Sequence, residues 1–256
     1  MNKIKAFSTR NRKEILRDPL SYIFCLAFPL VMLIIMSVLN ASIPKQANMT
    51  VFRIDNLSSG IAVFGQTFVM LFTSLTVSKD RSGSFLVRMY ATPMKSSDFT
   101  IGYITPMIII SFFQNVIIYI ASFIISIITD VDLNIGGMIL SLIILMPSAI
   151  MFICFGLLFG TLFNEKSAPG LCSIIISLSG FLGCIFFDAD STGGAMLKVC
   201  KSLPFYYCTK SARACVKLDF SAGAFIIPIV IVIASAAVLG CLSSFVFKSK
   251  MKADLS

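Results

Sequence analysis

Long apolar runs separated by short polar segments constrain this chain more than any other feature. A run of about 18 or more apolar residues can cross the hydrocarbon core of a bilayer as a helix, which satisfies its own backbone hydrogen bonds. Six such runs are predicted to be spans, at residues 20–39, 61–78, 102–128, 138–163, 168–187 and 225–247. The sequence therefore predicts an all-α membrane protein with six transmembrane helices, forming a single transmembrane domain over residues 1–256.

The composition agrees with this class. Hydrophobic residues make up 57% of the 256 residues and charged residues only 13%, whereas a soluble domain averages about 25% charged residues. A formal net charge of +9 is also found among proteins that bind nucleic acid. Here, however, the basic residues flank the apolar runs, where anionic lipid and membrane topology account for them. We therefore expect membrane lipid as a partner and no nucleic acid.

The distribution of Lys and Arg predicts the orientation of the spans. Fourteen of the 21 basic residues lie in the N-terminal tail, the stretch 79–98, the turn 164–167 and the C-terminal tail. Cytoplasmic segments of membrane proteins carry an excess of Lys and Arg. Both termini are therefore expected in the cytoplasm of a multi-pass protein of the cell membrane. The segment 188–222 is then outside, although it carries five basic residues.

Residues 3–18 are predicted to form an interfacial helix that lies on the inner leaflet. Its apolar side chains share one helical face, which is formed by Ile4, Phe7 and Ile15. Asn11 interrupts that face, and a disordered basic tail is the alternative interpretation. Asp18-Pro19 is typical of a helix start, with an N-cap followed by Pro at the first helical position.

The stretch 79–98 is one of few polar runs in the sequence and lies between the second and third predicted spans. Between its basic residues lies an apolar cluster formed by Phe85, Leu86, Val87 and Met89. Thr92-Pro93 is expected to end any helix formed there. The apolar face of such a helix must bury against the bilayer surface or a partner groove. The alternative is a solvated loop whose charges only set the topology.

The residue types that are missing exclude several function classes. No Asp, Glu, Lys or Arg lies inside the six predicted spans, which disfavours a carrier coupled to ions or protons. The chain has no His, which is the commonest metal ligand and general base. We therefore expect no catalytic residue, metal site or cofactor on this chain. No G-x-x-x-x-G-K-[ST] motif is present, so any ATP would be bound by another chain.

Uncharged residues inside the spans suggest two roles. Gln66, Gln114 and Asn115 either line a substrate path or form hydrogen bonds between helices. The pair Gly156 and Gly160 has the spacing that lets helices approach closely. Separately, three cysteines of the outer segment form either one disulfide or free thiols, namely Cys200, Cys208 and Cys215.

Two features of the N-terminal half resemble permease subunits of the ABC-2 type, the membrane partners of ATP-binding cassette exporters. The basic tail ending in Arg17-Asp18-Pro19 is similar to the connecting helix of that family. Asp80-Arg81-Ser82-Gly83-Ser84, followed by Thr92-Pro93 and Gly102, is similar to its acidic–Arg–acidic run, Gly-Thr, Thr/Ser-Pro and Gly. Ser82 replaces the second acid of that run.

A third feature lies near the C-terminus. Leu203-Pro204-Phe205-Tyr206-Tyr207 followed by Ala212-Arg213 is similar to the Pro-aromatic, then Ala-Arg, element that the family places outside between spans 5 and 6. By this resemblance Pro204 and Arg213 belong to an outer element that dips back into the membrane.

The resemblance implies a permease that works with ABC ATPase subunits, which bind ATP and Mg²⁺. It also implies that two permeases, identical or homologous, pair through spans 1 and 5. The stretch 79–98 would be a short cytoplasmic coupling helix that contacts the ATPase. The residues implied in this coupling are Lys79, Asp80, Arg81, Gly83, Phe85, Leu86, Arg88, Thr92 and Pro93.

The function expected from the sequence is ATP-driven export, including multidrug export, of a hydrophobic or amphipathic substrate such as a drug, antibiotic, peptide or lipid. A non-transporting membrane protein, such as an immunity or assembly factor, is the alternative. A membrane enzyme acting on lipids is a third class, but the sequence offers no converging acids or metal triad for its chemistry.

Overall fold

The protein, seen in a computed structural model, is described over residues 2–19, 23–43, 50–83, 85–90, 94–187 and 193–253. Within these ranges every regular element is helical. The helices are α1 (Asn2–Arg17), α2 (Ile23–Ser42), α3 (Ile54–Ser82), α4 (Phe85–Tyr90), α5 (Ser96–Thr129), α6 (Ile135–Leu162), α7 (Ala168–Leu182), α8 (Gly194–Lys201), α9 (Pro204–Val216) and α10 (Ile227–Ala253). The first turn of α2 and the turn before α10 are π-helical.

Five helices of the described chain are long and apolar enough to cross a membrane, namely α2, α3, α5, α6 and α10. They correspond to predicted spans 1, 2, 3, 4 and 6. Predicted span 5, at residues 168–187, is not confirmed. Its helix α7 has 15 residues, which rise about 22 Å at 1.5 Å per residue. That is shorter than the hydrocarbon core of about 30 Å.

The end of α7 has a local cause that apolar patterning does not reveal. The backbone N–H of Gly183 donates to the carbonyl of Ser179 at 3.0 Å, and Cys184 then adopts a left-handed conformation with φ of 56°. The N–H of Ile185 donates back to Gly180, so the chain reverses. The prediction extended the span to Phe187 because residues 185–187 remain apolar.

Helix α3 occupies the centre of the fold. Its most apolar window is 83% buried inside the protein, whereas the corresponding windows of α2 and α10 are 17% buried. Helices α2, α5, α6, α7 and α9 all contact α3. The largest cluster of buried apolar side chains draws on helices from α1 to α10. Helices α2 and α10 leave long apolar faces uncovered, which is typical of helices that contact lipid.

Two glycines let α6 pack closely on α3. A Cβ added at Gly156 would lie 2.3 Å from the carbonyl oxygen of Met70. A Cβ added at Gly160 would lie 2.6 Å from the carbonyl oxygen of Ser74. The predicted close approach at this pair of small residues is therefore confirmed, with α3 as the neighbour.

The connections place short segments at two opposite ends of the bundle. At one end, here called the α1 pole, lie α1, α4, the first turns of α5 and the turn 164–167, where Asn164 accepts a hydrogen bond from the N–H of Ser167 at 2.9 Å. At the other end, the α9 pole, lie α8, α9 and the start of α3. Predicted spans 1 and 2 left residues 40–60 between them, whereas in the structure α2 continues to Ser42 and α3 begins at Ile54.

The cysteines of the α8–α9 segment are free thiols. Cys200, Cys208 and Cys215 are all buried. Burial raises the pKa of Cys215 to about 11 and raises that of Cys208 further. Of the two sequence-based alternatives, the structure therefore has the thiols rather than a disulfide.

Candidate functional site

The stretch 79–98 is divided among three helices. Lys79 and Asp80 belong to the last turn of α3, and Gly83 follows as its C-cap, with its N–H donating to the carbonyl of Lys79 at 2.9 Å. The six-residue helix α4 comes next, and α5 begins at Ser96. Thr92 and Pro93 lie outside the described residues. A short helix does form where the apolar cluster predicted one.

Asp80 joins three helices at the α1 pole. Its side chain is only 4% exposed. The guanidinium of Arg10 in α1 donates to both carboxylate oxygens, at 2.6 and 2.9 Å, and the hydroxyl of Tyr103 in α5 donates to one of them at 2.7 Å. Charge-assisted bidentate bonds of this kind are among the strongest in proteins. Asp80 therefore holds α1, α3 and α5 in one arrangement.

Arg10 extends this network to α4. It lies 2.7 Å from Glu14 and 4.0 Å above the centre of the Phe85 ring. Burial alone would lower the pKa of Arg10, but its hydrogen bond to Asp80 and the nearby carboxylate charges raise the pKa above its ordinary value. The guanidinium stays protonated, so the cation–π contact with α4 persists.

An aromatic cluster surrounds Phe7 of α1. The Phe7 ring stacks on Phe85 with centroids 6.4 Å apart, and it meets Phe99 and Tyr103 edge-on at 5.3 and 5.0 Å. Phe247 of α10 packs against Phe99 at 6.1 Å. Edge-on and offset pairs add to the stability gained from burying the rings. The cluster therefore ties α4 to the rest of the α1 pole.

Leu86 of α4 is fully buried within the same cluster. The expectation that the apolar face of this helix needs the bilayer surface or a partner groove is therefore wrong for Leu86. Its partner is the chain's own core, which includes Val77 and Leu157. Phe85 and Met89 are half-buried beside it.

Gly102 lets α1 pack closely against α5. A Cβ added at Gly102 would lie 2.4 Å from Cδ1 of Phe7, so only glycine leaves room for that ring. Asn11, which is fully buried, donates from Nδ2 to the carbonyl of Gly102 at 3.2 Å. Asn11 therefore belongs to the buried face that Phe7 and Ile15 form, and the prediction that it interrupts this face is wrong.

The stretch 79–98 also carries exposed basic side chains. Lys79, Arg88 and Lys95 are exposed. Arg81 is half-buried instead, and its guanidinium donates to the carbonyl of Thr161 in α6. The exposed charges of the stretch are therefore separate from the residues that hold it together.

Gln66 forms hydrogen bonds between helices. It is fully buried in α3, its Nε2 donates to the carbonyl of Leu145 at 3.1 Å, and its Oε1 accepts from the hydroxyl of Ser148 at 2.6 Å. Both partners belong to α6. Of the two roles expected for Gln66, the structure therefore has the hydrogen bonds between helices.

Gln114 and Asn115 behave differently. Both are fully buried in α5, and none of their amide atoms has a hydrogen-bond partner among the described residues. Gln114 lies against Gly65 of α3, where an added Cβ would come 1.5 Å from its Nε2. The structure therefore does not join Gln66, which faces α6, to these two amides in one hydrogen-bonded network within the part of the chain it describes.

Comparison with known families identifies the chain. A family model described as ABC-2 type transporter matches residues 2–217. The chain belongs to the ABC-2 type transporter family. No curated protein matches it in sequence. The match extends from α1 through α9 and includes the whole α1 pole except the contribution of α10. The match confirms the resemblance to this family, and all three features on which the resemblance rests lie within residues 2–217.

Membership makes the chain a multi-pass membrane protein and the permease component of an ABC-type transporter, without a catalytic role of its own. Permeases of this family generally work with ABC ATPase partners. Within the described residues no three His, Cys, Asp or Glu side chains form a group suited to a metal ion.

At the α9 pole of the permease, Pro204 begins α9 and Arg213 lies in its last turn. The Arg213 guanidinium donates from Nε to the carbonyl of Asn56 at 3.1 Å, which ties α9 to the first turn of α3. Lys217 lies 3.5 Å from Asp55 and strengthens the same connection. Arg213 of the Ala-Arg element thus ties α9 to the permease's central helix.

Sequence reasoning missed four residues that build the α1 pole of the permease. They are Phe7, as the centre of the aromatic cluster, Arg10, Asn11 and Tyr103. The family resemblance pointed to Gly102, but the sequence did not predict what this glycine does. One signal was available, because Phe7, Asn11 and Ile15 follow one another at a spacing of four residues, which places them on one helical face.

Proposed function

We propose that this permease is the membrane subunit of an ATP-driven exporter whose ATP and Mg²⁺ are bound by ATPase subunits on separate chains. Family membership supports the partnership, and the absence of a phosphate-binding Gly-rich motif in the sequence supports ATP binding elsewhere. The substrate class we propose is a hydrophobic or amphipathic molecule, such as a drug, antibiotic, peptide or lipid. Spans without charged side chains support this class.

The observation that carries the proposal is the joint at the α1 pole. Any displacement of α4 is transmitted to α1 through the contacts of Phe85 with Phe7 and Arg10, and to α3 through the pair of Arg10 with Asp80. Interfaces packed this tightly move as units rather than deform. An ATPase that displaces α4 would therefore displace α1 and the central helix α3 with it.

The docking surface we propose for the ATPase is the exposed basic side of the stretch 79–98. Lys79, Arg88 and Lys95 provide exposed positive charge along this stretch, and half-buried Phe85 and Met89 lie between Lys79 and Lys95 in the sequence. Complementary charge steers association and sets orientation, so the facing ATPase surface should be acidic. Asp80, Arg81, Gly83 and Leu86 then act from behind this surface by fixing its shape.

Two permeases are proposed to pair, as identical or homologous copies, through α2 and α7. The uncovered apolar face of α2 supports this arrangement. Gln114 and Asn115 are proposed to contact substrate, which is supported by their buried amides without partners. Both termini are proposed to be cytoplasmic in the cell membrane, which the distribution of Lys and Arg supports.

Charge reversal on the docking surface tests the coupling proposal. We expect the double variant Lys79→Glu/Arg88→Glu to lose most ATPase co-purification and export, while membrane insertion and thermal unfolding stay unchanged because both side chains are exposed. Lys248→Glu, an exposed cation on α10, is the matched control and should keep both activities. If the double variant binds the ATPase and exports like the parent, the coupling proposal fails. Leu86→Asp is unsuitable here, since Leu86 supports this chain's own core.

Thiol labelling tests the orientation. On a background without native cysteines, a cysteine placed at Lys217 should react with a membrane-impermeant reagent added outside intact cells. A cysteine placed at Lys95 should react only after the membrane is opened. The reverse pattern would overturn the proposed sides.

A further inference from the structure

A groove lies between α1 and α5, apart from the joint at the α1 pole. It has a volume of about 370 Å³. Helix α1 contributes Lys5, Ser8, Thr9 and Arg12 to its lining, and α5 contributes Thr105 and Ile109. Neither the coupling joint nor the buried amides of α5 take part in it.

The groove exists because of the way α1 is seated. Phe7 and Asn11 hold one face of α1 on Gly102. Residues 5, 8, 9 and 12 are spaced by three and four positions and therefore form a neighbouring stripe on the same helix. That stripe overhangs the next turns of α5, at Thr105 and Ile109, without closing on them.

The charges of the groove are unbalanced. Lys5 and Arg12 are exposed and have no ion-pair partner among the described residues, whereas Arg10 between them is paired with Asp80 and Glu14. No carboxylate is among the described residues that line the groove. Two cations with hydroxyl groups between them suit a phosphate group, whose oxygens accept charge-assisted hydrogen bonds.

The other wall of the groove is apolar and continues along α5. Ile109 is 40% exposed, and the exposed apolar surface continues through Phe112 and Phe113. An anionic group held at Lys5 and Arg12 would therefore have an apolar chain of its own molecule beside α5. A free phosphate would use only the basic half of this surface.

We propose that the groove binds an anionic phospholipid, with its phosphate between Lys5 and Arg12 and an acyl chain along α5 beside Ile109. The assignment to the cytoplasmic leaflet rests on the orientation given under the proposed function, whereas the binding itself does not. Such a lipid would fill the space under α1 on the side away from α4.

Lipid binding to the purified permease in detergent micelles tests this directly. The probes are phosphatidylglycerol, phosphatidylcholine and glycerol phosphate, and native mass spectrometry measures their retention. We expect Lys5→Gln and Arg12→Gln each to weaken phosphatidylglycerol binding about fivefold, as for one basic residue at an anionic lipid surface. Arg12→Lys should retain binding. Lys13→Gln, an exposed cation of the same helix outside the groove, should leave binding unchanged.

Two results would overturn the proposal. Equal weakening by Lys13→Gln would mean that the basic helix attracts anionic lipid without a site. Displacement of the lipid by an equal concentration of glycerol phosphate would mean that the groove binds a free anion. Binding of the ATPase, measured in the same variants, should not change because Lys5 and Arg12 lie outside both the joint at the α1 pole and the proposed docking surface. Failure of the lipid site and failure of coupling are therefore distinguishable.

Discussion

Asp80 at the α1 pole and Gln114 in the middle of α5 are both buried polar side chains, yet their surroundings differ. Asp80 accepts three hydrogen bonds, two from Arg10 and one from Tyr103. Gln114 and its neighbour Asn115 have none among the described residues. A buried polar group without a partner costs about 1–3 kcal/mol, whereas a satisfied network specifies one arrangement. The first region is held together by its own hydrogen bonds, whereas the second leaves buried amides without partners, which is why we propose substrate contact for the second and not for the first.

The largest effect is expected when the joint loses its cation. Arg10→Leu leaves the Asp80 carboxylate buried with Tyr103 alone, and breaking a buried pair in this way costs about 3 kcal/mol of unfolding free energy, the lower end of the usual range because Arg10 is 35% exposed. Thermal unfolding in micelles, followed with a thiol-reactive dye, measures the loss because seven of the eight cysteines are buried.

The double variant Arg10→Leu/Asp80→Leu sharpens this test. Replacing both members of a buried pair by apolar residues is often neutral, so most of the stability should return. Lys13→Leu, an exposed cation on the same helix, is the control and should change little. If the double variant is no more stable than Arg10→Leu, the ion pair with Arg10 is not the interaction through which Asp80 stabilises the fold.

The seat of α1 is the next most sensitive part of the joint. Gly102→Ala places a methyl group 2.4 Å from Phe7, and overpacking of this kind costs about 2 kcal/mol. Gly170→Ala is the control, since nothing lies within 4 Å of its added Cβ. Unfolding temperatures of the two variants should move in opposite directions, because Ala is the better helix former. An unchanged unfolding temperature in Gly102→Ala would contradict the close contact between Phe7 and Gly102.

Removal of one hydroxyl tests the third hydrogen bond to Asp80. Tyr103→Phe keeps the ring contact with Phe7 and loses the bond to the carboxylate, which should cost about 1.5 kcal/mol. The same dye-monitored unfolding measures the loss. Tyr103→Phe in the Asp80→Leu background should have almost no effect, and an equal loss in both backgrounds would place the contribution of this hydroxyl elsewhere.

The smallest effect on stability is expected in the middle of the spans, where substitutions of Gln66 and of Gln114 can be compared. Gln66→Leu removes two hydrogen bonds to α6 and should cost about 1 kcal/mol. Gln114→Leu removes an amide without a partner and should leave stability unchanged or raise it. Export should instead fall in Gln114→Leu. Equal destabilisation by the two changes would remove the difference between them, and normal export in Gln114→Leu would end the substrate-path proposal.

The sequence pattern predicted those features that depend on a single property of a segment, such as its apolar length. Apolar length located the five long helices, and the spacing of Gly156 and Gly160 predicted close helix packing. The end of α7 was missed because a chain reversal at Cys184 leaves the apolar pattern of residues 185–187 unchanged. Hydropathy records how apolar a segment is, and not which way its backbone turns.

The residues of the joint were harder to predict, for a geometric reason. Arg10 and Arg12 are alike in type and lie in the same basic tail, but two positions rotate a side chain about 200° around a helix. One therefore pairs with Asp80, seventy positions away along the chain, and the other faces the groove beside α5. A single sequence shows neither that distant partner nor the close approach of Phe7 to Gly102.

The close contact between α3 and α6 determines which movements the permease has available. With backbone carbonyls of α3 seated where side chains would otherwise stand at Gly156 and Gly160, the two helices cannot slide or rotate past each other without first separating. Gln66 adds two hydrogen bonds between the same helices. The pair therefore forms a rigid frame, and any transport movement has to be carried by the other helices, among which α2 and α10 have the least buried apolar windows.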